Sequence, residues 1–184
     1  MRLGLFGGAF DPPHNGHVAL VSAAKRALGL DRVIVVVTAA PGHKDVYAPA
    51  EARLALARAA FPDDEVVLDE HPRTVDLLRA HPEWHGAVFL LGADELEGFR
   101  SWKEPDEVLR LVTLGVAARP GHALPPVAPG RTETFALDEP VTSRGLRARL
   151  QAGENVSDAV PAAVWEAIER EGLYGARRSY TQSA

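Results

Sequence analysis

The chain has 184 residues, 46% of them apolar and 24% charged, with a net charge of -5 and no cysteine. That composition suits a globular domain with a sizeable core, excludes disulfides and thiolate metal sites, and argues against bulk nucleic-acid binding while leaving room for a local basic pocket. No apolar run nears the roughly 20 residues of a membrane span, and no charged and apolar leader precedes the first strand pattern, so a cytoplasmic protein without membrane attachment is expected.

In chain order, "RLGLF" (2–6) reads as a short buried strand, and "NGHVALVSAAKRALGL" (15–30) carries apolar residues at helical spacing with Gly29 placed to end it. "RVIVVVT" (32–38) is a β-branched run, the pattern of a strand buried on both faces. "PAEARLALARAAF" (49–61) is an Ala/Leu/Arg helix opened by proline. "EVVLD" (65–69) is a third strand, and "TVDLLRAH" (74–81) a short helix with Thr74 as its expected N-cap. "GAVFLLG" (86–92) is a fourth strand, "PDEVLRL" (105–111) a helix with proline and acids in its first turn, and "VTLGVAA" (112–118) a fifth strand. Residues 119–131 form a Pro/Gly-rich loop, "TETFALD" (132–138) one more strand, and "SRGLRARLQAG" (143–153) and "PAAVWEAIEREG" (161–172) two closing helices.

Strands that alternate with helices imply a doubly wound parallel α/β sheet of the Rossmann-like kind, with helices on both faces and a small helical C-terminus. One domain is expected over 1–175, with a disordered tail over 176–184. His71, His81, His85 and His122 are scattered and read as surface residues, and no His/Asp/Glu cluster suggests a protein metal site.

Chemistry concentrates in "GLFGGAFDPPHNGHVAL" (4–20). Gly7 and Gly8 end the first strand, where a bare backbone can approach a ligand and offer its N–H groups. His14 and His17 straddle the start of the next helix, and a helix N-terminus attracts anions. In a doubly wound sheet this seam lies where ligands bind, so it reads as a phosphate site. It lacks the third glycine and downstream acid of the dinucleotide fingerprint, and the Gly-Lys-Ser/Thr of the P-loop. Later, Ser143 opens a helix and Arg147 follows one turn on along the same face.

"GGAFDPPHNGH" resembles the strand–HxGH signature of the nucleotidyltransferase superfamily, and the whole chain is similar to the bacterial nicotinate-nucleotide adenylyltransferase family. The further blocks are "APGHK" (40–44), "RTVDLL" (73–78), "LGADELEGFRSWKEPDEVL" (91–109), "ARPG" (118–121), "VTSRGLR" (141–147) and "EGLY" (171–174). The resemblance implies adenylyl transfer from ATP to nicotinate mononucleotide, with release of pyrophosphate, as a step of NAD biosynthesis.

It also implies roles. His14, His17, Lys44 and Arg147 would act on the phosphates as the catalytic set. Gly7, Gly8, Ala9, Phe10, Gly92, Asp94, Arg119 and Ser143 would surround ATP. Thr74, Trp102 and Lys103 would meet the pyridine nucleotide, Trp102 through its ring. Mg²⁺ would enter on the ATP phosphates, without a protein cage. Arg73, Lys103 and Arg144 depart from the family pattern and add positive charge. Three alternatives stay open: a transferase using phosphopantetheine, one preferring nicotinamide mononucleotide, and a non-catalytic nucleotide sensor. A homo-oligomer is also left open.

Overall fold

The computed structural model describes residues 1–42, 45–118, 124, 130–138 and 142–176. The expected sites Lys44 and Arg119, the surface His122 and the tail beyond 176 lie outside the described residues.

Six parallel strands are β1 (Leu3–Gly8), β2 (Arg32–Thr38), β3 (Glu65–Asp69), β4 (Val88–Gly92), β5 (Thr113–Ala118) and β6 (Thr132–Ala136), in the order β3-β2-β1-β4-β5-β6. The helices are α1 (Asn15–Leu28), α2 (Ala50–Ala60), α3 (Thr74–Ala80), α4 (Ala93–Glu97), α5 (Pro105–Leu111), α6 (Ser143–Gln151) and α7 (Ala162–Glu171), with 3-10 turns at Pro82–Trp84, Phe99–Ser101 and Leu173–Gly175.

Strand alternation builds two cores from the same runs. Val33, Val35 and Val37 of β2 join the cluster that takes in α1, α2, α6 and α7, while Ile34 and Val36 join the cluster under α3, α4 and α5. That two-sided burial is why the β-branched run could be read as a central strand. Gly29 ends α1 at φ 61, the left-handed conformation expected of a C-cap glycine.

Several element ends fall one or two residues from expectation, α1 at Leu28 and β4 from Val88 among them. β1 extends through Gly7 and Gly8, because both pair in register with Val36 and Val37 of β2. Arg73 is the N-cap of α3, and Thr74 is its first helical residue. Thr142 caps α6 by accepting the Gly145 N–H at 3.1 Å, so Ser143 is freed for another contact. The five-residue α4 has no periodicity to announce it; the Glu95 carboxylate accepts the Gly92 N–H at 3.0 Å and holds its first turn.

The strand order fixes the place of the site. β2 and β3 are laid down on one side of β1, and β4, β5 and β6 on the other. The switch point therefore falls between the carboxyl ends of β1 and β4, just beyond Gly8 and Gly92.

Candidate active site

A cleft of about 1130 Å³ opens at that switch point. Gly7, Gly8, Ala9 and Phe10 line it from the end of β1, His14 and His17 from the start of α1, Gly92 and Asp94 from β4 and α4, and Ser143, Arg144 and Arg147 from α6. The stretches 7–17, 92–94 and 143–147, far apart in the chain, thus line one cleft.

Glycine at position 8 is a packing demand. A Cβ there would stand 3.1 Å from the Phe10 ring, tighter than ordinary van der Waals contact. Phe10 is 2% exposed at φ 49, a backbone region that bulky side chains rarely adopt. Its ring meets Phe6 edge-on at 5.4 Å, Phe61 at 6.0 Å and His17 at 5.1 Å, and this cluster holds the strained residue in place.

His14 and His17 stack with ring centroids 3.6 Å apart. His14 is the N-cap of α1, and its backbone N–H donates to His17 Nδ1 at 3.1 Å. A nitrogen that accepts carries no proton, so the His17 tautomer has its proton on Nε2, which becomes a donor. The His14 ring is buried, its Nδ1 has no hydrogen-bond partner among the described residues, and burial pushes its pKa down to about 4. A buried polar atom left without a partner is costly, and a ligand that supplies one recovers the loss. No acidic residue stands in the first turn of α1 to weaken the attraction of its N-terminus for an anion.

On the facing wall, Ser143 Oγ donates to the Pro12 carbonyl at 3.0 Å, and Arg147 Nη1 donates to the Asp11 carbonyl at 2.6 Å. The Arg147 guanidinium lies over the Tyr47 ring, 4.8 Å from its centroid. Asp94 is exposed in the first turn of α4, where Gly92 is the N-cap, so Asp94 faces the cleft without a capping duty.

Four residues of this region escaped the sequence reading: Asp11, Tyr47, Arg53 and Tyr174. The Asp11 side chain is 2% exposed, and its carboxylate accepts the Tyr47 N–H at 2.7 Å, the Ala48 N–H at 3.1 Å and the Tyr174 O–H at 2.7 Å. Arg53, wholly buried in α2, donates to the carbonyls of Ala9, Thr38, Ala39 and Ala48 at 2.7–3.0 Å. One signal for Arg53 was available: positions 53, 57 and 60 fall on the buried face of α2.

Thr74, Trp102 and Lys103 are not among the residues lining this cleft. Trp102 is half-buried, edge-on to Phe89 at 6.1 Å and tilted against Phe99 at 5.1 Å. Lys103 reaches α3 two residues beyond Thr74, and its Nζ donates to both Asp76 carboxylate oxygens at 2.8 and 3.0 Å. That bond holds the Asp76 carboxyl below its ordinary pKa. Lys103 thus links the Trp102 segment to the helix that Thr74 opens, and the cation at position 103 is half of an ion pair.

Among the described residues no group of three or more His, Cys, Asp or Glu could hold a metal, and no helix is long and apolar enough to cross a membrane.

Residues 5–170 match the cytidylyltransferase-like family model. A Thermus thermophilus protein named probable nicotinate-nucleotide adenylyltransferase is 39% identical over 186 residues, covering 95% of this chain and all of the relative. A Rubrobacter xylanophilus protein of the same name is 35% identical over 199 residues, covering 96% of this chain and 93% of the relative. In fold, the chain is similar to Plasmodium falciparum nicotinic acid mononucleotide adenylyltransferase complexed with NaAD, with a TM-score of 0.79 at 17% identity over 96% of this chain and 98% of that one.

Proposed function

The chain belongs to the cytidylyltransferase-like family, and from that membership we infer that it transfers the adenylyl group of ATP to nicotinate mononucleotide. The product is nicotinate adenine dinucleotide, a step of NAD biosynthesis, and pyrophosphate is released. The observation that carries the phosphate chemistry is the stacked His14–His17 pair at the α1 N-terminus, facing Arg147 across one cleft. The choice of acceptor rests on the full-length relatives named for it.

A phosphate oxygen of the mononucleotide attacks the α-phosphorus of ATP. The new P–O bond forms as the bond from the α-phosphorus to the bridging oxygen breaks, and that electron pair leaves on pyrophosphate. An ionised phosphate needs no general base, so the protein's task is positioning and charge stabilisation. We assign His14, His17 and the N–H groups of α1 to the phosphates, with His17 Nε2 donating where charge develops. Ser143 and Arg147 take the β- and γ-phosphates, and Arg147 keeps N–H groups beyond the one used on Asp11. Gly7, Gly8, Ala9 and Phe10 lend backbone to the nucleotide, and Gly92 and Asp94 meet the ribose. Lys44 and Arg119 are assigned from the resemblance, to charge near the α-phosphate and to ATP. Thr74 and Trp102 are assigned to the nicotinate ring and its carboxylate, which puts the acceptor's ring beyond the phosphate cleft while its phosphate reaches into it.

The donor set does not fit a protein-held metal: the Asp11 oxygens already accept three hydrogen bonds, and Asp94 and Glu95 are exposed at the rim. Mg²⁺ would come in on the triphosphate and neutralise charge on the departing pyrophosphate. Soluble substrates on both sides of the reaction agree with a cytoplasmic place.

A pyrophosphate-release assay with ATP and a panel of acceptors tests the reading. Release with nicotinate mononucleotide is expected to exceed that with nicotinamide mononucleotide by about tenfold or more, since charge-assisted hydrogen bonds select the carboxylate. Phosphopantetheine should give none. In the same assay His17→Ala should lose about a hundred- to a thousandfold in rate with its fold intact. Equal efficiency on acid and amide contradicts the acceptor, and normal turnover in the variant removes His17 from the mechanism.

A further inference from the structure

We propose that Tyr174, near the C-terminal end of the described chain, is a positioning residue for the triphosphate: through the Asp11 carboxylate it sets where Arg147 and Tyr47 stand over the cleft. The proposal rests on the reading of the cleft as the ATP site.

Tyr174 comes late, in the turn after α7, at φ 57 between Gly172 at φ 63 and Gly175 at φ 79. Three successive left-handed backbones in four residues reverse the chain and return the phenol to the loop after β1, where its O–H donates to Asp11 Oδ1 at 2.7 Å across a separation of 163 residues. The receiving loop is also in an uncommon conformation, since Phe10 stands at φ 49 immediately before Asp11. Non-glycine residues persist in that region only where the surroundings hold them.

Asp11 then passes the constraint on from three atoms. Oδ2 accepts the Tyr47 N–H, Oδ1 the Ala48 N–H, and the main-chain carbonyl accepts Arg147 Nη1. Arg147 Nη1 also stands 3.9 Å from Oδ2. Tyr47 completes the loop by placing its ring under the Arg147 guanidinium, although that ring is 59% exposed. Arg53 fixes the same segments from below through the carbonyls of Ala9 and Ala48. A shift at the phenol is therefore delivered to a guanidinium that faces the cleft, while the segments between are pinned. Burial and the adjacent carboxylate push the phenol's pKa up, so the hydroxyl stays a donor throughout the neutral and mildly alkaline range.

Tyr174→Phe keeps the ring in its packing and removes one oxygen. The readout is direct binding of an ATP analogue with a methylene between the α- and β-phosphates, which needs no acceptor and no turnover. Affinity should fall about tenfold, the scale of one hydrogen bond to a charged acceptor, equally at pH 6 and pH 9. Nicotinate mononucleotide affinity should stay within about twofold, and the melting temperature should move by only a few degrees. Because Tyr174 acts through Arg147, the tenfold loss should shrink to less than about twofold in an Arg147→Ala background; a merely structural role would give the same loss in both. Tyr47→Leu, at an exposed position, reads the other end of the constraint and should cost about threefold. Unchanged analogue binding in Tyr174→Phe, or in Tyr47→Leu should the first variant not fold, overturns the proposal, as does an equal loss with and without the Arg147 side chain. A wild-type chain that fails to bind the analogue overturns the ATP reading itself, and this proposal with it.

Discussion

Around Asp11, charged groups are buried and their hydrogen bonds run to the backbone; around Asp76, they are exposed and paired with one another. Asp11 and Arg53 are 2% and 0% exposed, and between them they tie the loop after β1 to the segments at either end of the β2–α2 connection. Near α3 and α5 the pairs are Lys103–Asp76, Arg79–Glu104 and Arg100–Asp106, with all six side chains more than a quarter exposed and both members of the last more than half. The first arrangement fixes geometry, because each donor has a direction and no water competes. The second allows adjustment, because solvent screens the charges and replaces any lost partner. Under the proposed roles, phosphate transfer uses the former, and an entering acceptor ring would meet the latter.

The largest expected break in this contrast is at Arg53. Arg53→Ala removes a buried donor to four carbonyls and leaves Asp11 with less compensating charge, so chemical denaturation should report a loss of about 3–5 kcal/mol. A loss under about 1 kcal/mol would mean that water fills the gap and the buried network is no more rigid than the exposed one.

His14 gives the next effect. Its pKa falls from 6.5 to about 4 on burial, so the unfolded chain binds the proton more readily than the folded one. Stability therefore rises with pH across that window: the contribution is absent below about 4 and complete above 6.5. The shift corresponds to roughly 3 kcal/mol, read as the pH dependence of denaturation. His14→Gln should flatten that slope, and a wild-type slope unchanged by the substitution would show that other groups carry it.

The smallest effect belongs to Lys103. With Asp76 accepting its charge at 2.8 Å, Lys103→Met should change the ratio of catalytic efficiencies on acid and amide acceptors by less than about threefold. A tenfold change would show that Lys103 leaves Asp76 when the acceptor enters, and would make this half of the site the one that reorganises.

What could be read from sequence follows the same divide. β2 and β3 have the expected boundaries because a β-branched run bounded by polar residues has few other uses, and α5 because proline and acids mark its first turn. The strand-end and helix-start placement of His14 and His17 was legible from local pattern, and that of Ser143 and Arg147 beside them came from the resemblance of their block, since α6 follows the edge strand β6. The Asp11 hub was not. Asp11 reads as a turn residue before two prolines, Arg53 as one more arginine in an Ala/Leu/Arg helix, and Tyr174 as a chain ending. Their meaning arises from bonds that reach up to 163 positions along the chain, which no local pattern encodes. Lys103 shows a limit of another kind: its partner lies on α3, so the sequence displayed a cation and hid its ion pair with Asp76.

If the cleft between β1, β4 and α6 holds the triphosphate and the acceptor's ring lies outside it, steady-state kinetics of Arg147→Ala, with each substrate varied in turn, should show KM for ATP rising about tenfold or more while KM for nicotinate mononucleotide stays within about twofold. A rise confined to the mononucleotide, with ATP use unchanged, would place the triphosphate away from Arg147.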